Sequence, residues 1–345
     1  MPSIMTTNPT KSLTSPSVLL SFAAVYLIWG STYLAILIGI ETVPPFLLAG
    51  VRFLLAGAVL YGFLRWRGTP RPKLCHWKSA ALIGGLMMFG GTGLVTWAEQ
   101  LVPSGLTALL VATMPVWMVV LDATVYRKSR GRSGRGSRPN AWIWLGLLLA
   151  IIGVGVLTKP GEGTVAPLGA FVLILASFLW ANGSLLNRSA DVPESPWMAA
   201  ATQMLAGGAI LMVAATVTGE WFRLDLASIS ARSLWALVYL AVLGSIVAHS
   251  AYVYLLRVQT AAAVSTYAFV NPVIALALGW LVGEALGPRA LVGATLVAGA
   301  VALIHWARWA RWARPRPVPP SPGRSAEIAP AELVAGVCAQ GAAKS

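Results

Sequence analysis

The sequence predicts an all-α polytopic membrane protein of ten transmembrane helices, arranged as two five-helix repeats of inverted topology. Three observations predict it: a shortage of charge, ten apolar stretches of spanning length, and a correspondence between the two halves of the chain. Of the 345 residues, 57% are hydrophobic and 10% charged, against about 25% charged in a typical soluble domain. So few charges cannot cover a water-exposed surface, and the solvent for most of this surface is lipid. A formal charge of +14 would suggest nucleic-acid binding in a soluble protein. In a membrane protein it reads first as Lys and Arg retained on the cytoplasmic side.

A helix crossing the hydrocarbon core needs roughly 20 mostly apolar residues. Segments 18–40, 44–64, 79–98, 104–126 and 141–158 meet this in the first half. Segments 166–187, 197–218, 233–254, 262–283 and 289–307 meet it in the second. The first is longer than the apolar run of a signal peptide, and no small-residue cleavage site stands out behind it, so it counts as a helix. Residues 1–17 form an N-terminal cytoplasmic segment, and 313–345, rich in Pro, Ala and Ser, read as a disordered cytoplasmic tail. With the N-terminus inside, twenty Lys and Arg fall on the cytoplasmic side and four (Lys159, Arg223, Arg232, Arg289) outside, with Arg52 within a helix. Both termini are therefore expected in the cytoplasm. Cys75 and Cys338 then face a reducing compartment, where no disulfide is expected.

Two basic stretches have bland and sharp readings. The loop RKSRGRSGRGSR (127–138) looks like an RNA-binding segment. As a topology anchor against anionic lipid headgroups it needs no nucleic acid, and none is expected. Trp306, Trp309 and Trp312 beside Arg308, Arg311 and Arg314 read as an interfacial belt at a helix end.

The halves correspond at two offsets. An offset of 151 carries Trp29-Gly30-Ser31 onto Trp180-Ala181-Asn182, Pro45 onto Pro196, Arg52 onto Gln203 and Gly57 onto Gly208. An offset of 157 carries Trp97 onto Tyr254 and Pro115 onto Pro272. The repeats span 18–158 and 166–307. Five helices being an odd number, the second repeat enters the membrane reversed, a plan common among secondary transporters.

Polar groups that lipid would reject are the candidate site. Trp29, Ser31 and Thr32 lie near the centre of the first segment; Trp180 and Asn182 are their counterparts in the sixth. Pro115 and Pro272, at mid-segment, would free the carbonyls of Val111 and Ala268, with Thr113 and Asn271 adjacent to satisfy them. These nine residues are expected to line a path between the repeats, formed by the first, fourth, sixth and ninth helices. Arg52, with Glu41 or Glu99 as partner, and His249, with Ser245 or Tyr252 at helical spacing, complete a candidate coupling or polar network. His249 is expected below the path, toward the cytoplasm. Helix packing at Gly30 and Ser31, plain kinks at the prolines, a structural ion pair at Arg52 and a neutral hydrogen-bonded His249 are the structural alternatives. The chain has no HExxH, CxxC or P-loop signature, so no catalytic residue, metal or cofactor is assigned.

The stretches IWGSTYLAILIGIETVPPFLLAGVRFLLAG (28–57), TWAEQLVPSGLTALLVATMP (96–115), LGSIVAHSAYVYLLR (243–257) and YAFVNPVIALALGWLVGEAL (267–286) resemble the EamA-type branch of the drug/metabolite transporter superfamily. The resemblance implies ten helices, two EamA repeats, a cavity between them, and a place in the bacterial cytoplasmic (inner) membrane. It implies export of amino acids, metabolites or drug-like compounds, commonly on the proton gradient. In this family a glutamate often ends the fourth and ninth helices. Glu284 fits, whereas Arg127 stands at the matching first-half position, and His249 stands where relatives have asparagine. A nucleotide-sugar carrier of the same superfamily is the alternative, but it would want several cavity cations and only Arg52 offers itself. An intramembrane lipid-processing enzyme is a further alternative without a visible catalytic set. Substrate and oligomeric state are not encoded in these patterns.

Overall fold

A computed structural model describes residues 15–125, 165–284 and 287–312, with eight positions between 145 and 156. Among the described residues there is helix and connecting chain and no strand. α1 (Pro16–Gly39) and α2 (Pro45–Trp66) are followed by α3 (Leu74–Ala98), α4 (Ser104–Val111) and α5 (Met114–Thr124). The second half holds α6 (Pro167–Asn187), α7 (Pro196–Val217), the single turn α8 (Glu220–Arg223) and α9 (Ala231–Val258). It ends in α10 (Ala261–Val264), α11 (Tyr267–Leu281) and α12 (Pro288–Trp312). Residues through Ala307 form one unit; of the second, 308–345, only 308–312 are described, as the end of α12.

Proline starts most of the long helices. It stands in the first turn of α1, α2, α6 and α7, where its fixed φ suits the helix and its missing N–H would have had no partner. The same rule corrects the expectation for Pro115. Segment 104–126 is not one kinked helix: α4 stops at Val111, and Pro115 sits in the first turn of α5. No interior hydrogen bond is lost there. The Val111 carbonyl accepts from Ser177 Oγ at 3.3 Å, while Thr113 Oγ1 donates to Leu110 O at 2.8 Å. Segment 262–283 is likewise broken, at 265–266, with Pro272 inside α11.

Among the described residues, seven stretches are long and apolar enough to cross a membrane: α1, α2, α3, Ser104–Asp122, α6, α7 and α9. α11 and the apolar part of α12 (Leu291–Ala300) are shorter. The expected fifth segment, 141–158, lies mostly outside the described residues, as do the loop 127–138 and the tail 313–345. Large apolar side chains such as Leu20, Phe63, Val217 and Trp280 are exposed, as a lipid-facing surface requires.

α3 and α9 share an unusual feature. Each is an α-helix interrupted by a π-helical stretch, Gly85–Gly93 in α3 and Leu240–His249 in α9. The offset of 157 carries 85–93 onto 242–250, so the wide turns occupy corresponding places. Packing is reciprocal as well. A Cβ at Gly57 would lie 2.9 Å from Leu205 Cγ, and one at Gly208 would lie 3.0 Å from Leu54 Cγ; 54 and 205 are themselves related by 151. α3 meets α7 backbone to backbone, since a Cβ at Gly84 would fall 2.6 Å from Gln203 O and 2.8 Å from Gly207 N. Small residues permit this approach where lipid supplies no hydrophobic drive between helices.

Two carboxylates cap helix N-termini from a distance. Glu220 accepts from the Phe46 and Leu47 amides of α2 at 3.2 and 2.8 Å. Glu284 accepts from Ser104 N, Ser104 Oγ and Gly105 N of α4 at 2.9, 3.0 and 3.3 Å. Each negative group satisfies orphan amides and complements the helix dipole.

Candidate functional site

On α1 the residues Trp29, Thr32, Tyr33 and Ile36 recur at helical spacing and share one face. That face forms part of the wall of a cavity of about 70 Å³. α2 adds Arg52 and Phe53, α3 adds Gly91, Thr92 and Val95, and α4 adds Val111. From the second half come Ala176 and Trp180 of α6, Gly244 and His249 of α9, and Tyr267 and Asn271 of α11. That is below the roughly 300–1,000 Å³ of an open small-molecule site, so a ligand seated here needs the walls to move apart.

The wall is aromatic at its centre. Trp29 and Trp180, counterparts under the 151 offset, meet edge to face with centroids 5.4 Å apart. Trp29 also packs on Tyr252 at 4.9 Å and edge to face on Tyr267 at 5.2 Å. Such offset and perpendicular arrangements suit the ring quadrupoles. The polar handles of the two tryptophans differ. Trp29 Nε1 donates to Gly244 O at 3.1 Å, whereas Trp180 Nε1 sits beside the Tyr252 and Tyr267 hydroxyls without completing a hydrogen bond.

The charged groups are arranged otherwise than the sequence suggested. Arg52 is 4% exposed, and its Nε donates to Ser245 Oγ at 2.8 Å. Glu41 is not its partner: that carboxylate lies 3.9 Å from Arg232 at the surface. Glu99 is 3% exposed, acts on Arg52 through space, and neither carboxylate oxygen is hydrogen-bonded. No ion pair forms between Arg52 and a carboxylate among the described residues. The counterpart of Arg52, Gln203, is off the wall and accepts from Asn187 Nδ2 at 3.4 Å.

His249 lies on the wall, at the end of the π stretch of α9, rather than below it. It is 1% exposed, and neither ring nitrogen has a hydrogen-bond partner. The partners expected for it are engaged elsewhere. Ser245 donates to Leu240 O at 3.0 Å, and the Tyr252 hydroxyl shares a hydrogen bond with Ser184 Oγ at 2.7 Å. Its ring stands 6.3 Å from Trp180. Thr92, its counterpart in the first half, is on the same wall.

Of the other candidates, Thr32 lines the cavity and donates to Trp29 O at 2.8 Å. Asn271 lines it too, with its amide nitrogen donating to Tyr26 O at 3.0 Å and Tyr267 O at 3.2 Å. It therefore ties α11 to α1 and does not satisfy Ala268. Ser31 faces an open apolar groove between α1 and α9, hydrogen-bonded to Tyr239 at 2.5 Å. Thr113, Pro115, Asn182, Pro272 and Glu99 are not on the wall. Sequence reasoning missed Tyr33, Phe53, Thr92 and Tyr267; the spacing of Tyr33 from Trp29, and of Tyr267 from Asn271, carries that signal.

Among the described residues one metal-like grouping exists, at the surface, where ligand atoms of Cys75, His76 and Asp191 lie within 4.8 Å of one another. His76 Nδ1 accepts the Lys73 amide at 3.2 Å, which leaves the proton on the nitrogen facing Asp191. A metal-bound imidazole has the reverse arrangement, its second nitrogen donating, so the donors do not fit.

An aromatic cavity enclosed by helices from both halves of a repeated, lipid-embedded bundle defines a membrane transporter. The family model of the EamA-like transporters matches residues 16–159 and again 167–306, and the chain belongs to the EamA-like transporter family. The uncharacterized inner membrane transporter YedA of Escherichia coli K12 is 39% identical over 283 residues, 81% of this chain and 88% of its own. A probable amino-acid metabolite efflux pump of Salmonella typhimurium is 29% identical over 285 residues, 79% and 89% of the two chains. A solved crystal structure, 21% identical, covers 84% of this chain and 97% of its own at a TM-score of 0.58, which shows the fold alone.

Proposed function

We propose that the protein is a secondary transporter of the bacterial cytoplasmic membrane that exports small metabolites, amino acids or drug-like compounds by alternating access. The carrying observation is the Trp29–Trp180 contact in the cavity wall: a substrate seated there touches both halves at once. With repeats 18–158 and 166–307 inserted in opposite orientation, exchange of their conformations moves the opening from one side to the other. The charge bias supports both termini in the cytoplasm, with basic loops against anionic headgroups. The proton gradient is the proposed drive, with His249 on the wall and buried Glu99 off it as the candidate proton carriers. The efflux activity in the name of the Salmonella relative falls in the same substrate range. A nucleotide sugar or other phosphorylated metabolite fits less well, because Arg52 is the single Lys or Arg among the lining residues.

Flux into proteoliposomes with a mixed metabolite panel tests this. Trp29→Ala and Trp180→Ala should each lower transport at least tenfold at near-normal membrane abundance. ATP-dependent uptake without an ion gradient would sink the secondary-transporter reading. A reporter fused after Lys344 and active only in the periplasm would reverse the orientation.

A further inference from the structure

We infer that the cavity selects small organic anions, monocarboxylates with an apolar or aromatic body, and that Arg52 is the group that holds the carboxylate. This deepens the transport reading and takes its physiological meaning from it. Arg52 lies on the cavity wall and is almost fully buried. Its Nε is fixed by Ser245, whose own proton goes to Leu240 O. Both terminal nitrogens are left without a hydrogen-bond partner among the described residues, and no carboxylate lies within 4.0 Å. The space around them is kept open. A Cβ on Gly244 would fall 2.9 Å from Arg52 Nη2, and the residue there is glycine.

A guanidinium locked at one edge and unpartnered at the other presents a planar fork, the geometry that matches a carboxylate bidentately. Removed from water, the guanidinium is compensated only from a distance by Glu99 and by the Phe53 ring, 4.8 Å from its Cζ, so an anion in direct contact still lowers its cost. His249 supplies a second polar contact on the same wall: one nitrogen of the neutral ring carries a proton and neither has a partner. Trp29, Trp180 and Tyr267 take the apolar body. A phosphate monoester offers the same fork an acceptor but brings a second charge, for which the wall has no second Lys or Arg.

Calorimetric binding to the purified full chain decides it, with phenylacetate, phenylacetamide, phenethylamine and phenyl phosphate as probes. Phenylacetate should bind at least tenfold tighter than the other three. Arg52→Gln should abolish that preference, and Arg52→Lys should retain part of it. Gly244→Ala, which crowds the fork and keeps the charge, should weaken phenylacetate more than phenylacetamide. Equal binding of acid and amide by the parent overturns the inference without any variant. So does a preference for the amine or the phosphate ester, absence of binding by all four, or a preference that survives in a folded Arg52→Gln. Flux of the amine or the amide with no preference for the acid would leave the transport reading standing and remove this one.

Discussion

Arg52 and Gln203 stand at the same place in the two repeats and do opposite things. Arg52 reaches the cavity and holds α9 through Ser245; Gln203 stays behind the wall with Asn187. Around them the backbone frame is shared: Gly57 on Leu205 mirrors Gly208 on Leu54, and each third helix of a half carries a π stretch. The difference teaches that the duplication governs where helices touch, while the polar chemistry has settled on one side. Glycines and helix breaks are constrained by contact distance, which both halves must obey. A charge is constrained by what it binds, and one cavity needs it once.

The largest effect expected is on the shared frame. Gly84→Leu drives a side chain into the backbone of α7 and should cost at least ~3 kcal/mol, enough to deplete folded protein. Gly62→Leu, at a glycine with nothing within 4 Å, should not. Membrane abundance and thermal stability in detergent measure both, and a stable Gly84→Leu would break the idea of a contact-limited frame. Next come the two capping carboxylates. Glu220→Gln turns an amide NH₂ toward a buried backbone donor and should cost about 1–3 kcal/mol. Glu284→Gln should cost less, because the Ser104 hydroxyl can accept from the new amide.

Smaller still is the contrast between the paired tryptophans. Trp29→Phe removes the Nε1 bond to Gly244 O and should destabilise by about 1 kcal/mol. Trp180→Phe, losing no completed hydrogen bond, should cost less than half of that in the same melting assay. Equal losses would erase the asymmetry between the halves. Cys75→Ser lies outside frame and cavity and should leave stability and flux within error of the parent; a large loss would give the surface grouping of Cys75, His76 and Asp191 a role it has not been assigned.

The helical class, the family and the offset between halves were legible because rare residues mark them: tryptophan, proline and glycine recur where apolar composition alone would not discriminate. Positions on α1 were half legible. Trp29 and Thr32 share the cavity face, but Ser31, one residue away, turns to the groove. Pro115 was misread because a proline in an apolar stretch looks the same whether it kinks a helix or opens one. Thr113 stands at the N-cap position of α5, but its hydroxyl bonds back to Leu110 O and caps nothing, so it does not discriminate either. The partner of Arg52 was out of reach, since Ser245 lies 193 residues away. The neighbours assigned to His249 assumed 3.6 residues per turn, whereas the backbone over Leu240–His249 is π-helical and closes its ladder at five.

The paired π stretches have a consequence for aim. A π turn is an α-helix with a surplus residue, and both halves carry that surplus at matching places. Wound as a plain α-helix, the same residues would place everything beyond the stretch about 100° further round. In α9 that would swing Tyr252 out of its stack on Trp29; in α3 it would turn Val95 off the wall it now lines. One wide turn in each half therefore sets the direction in which the far half of a helix points.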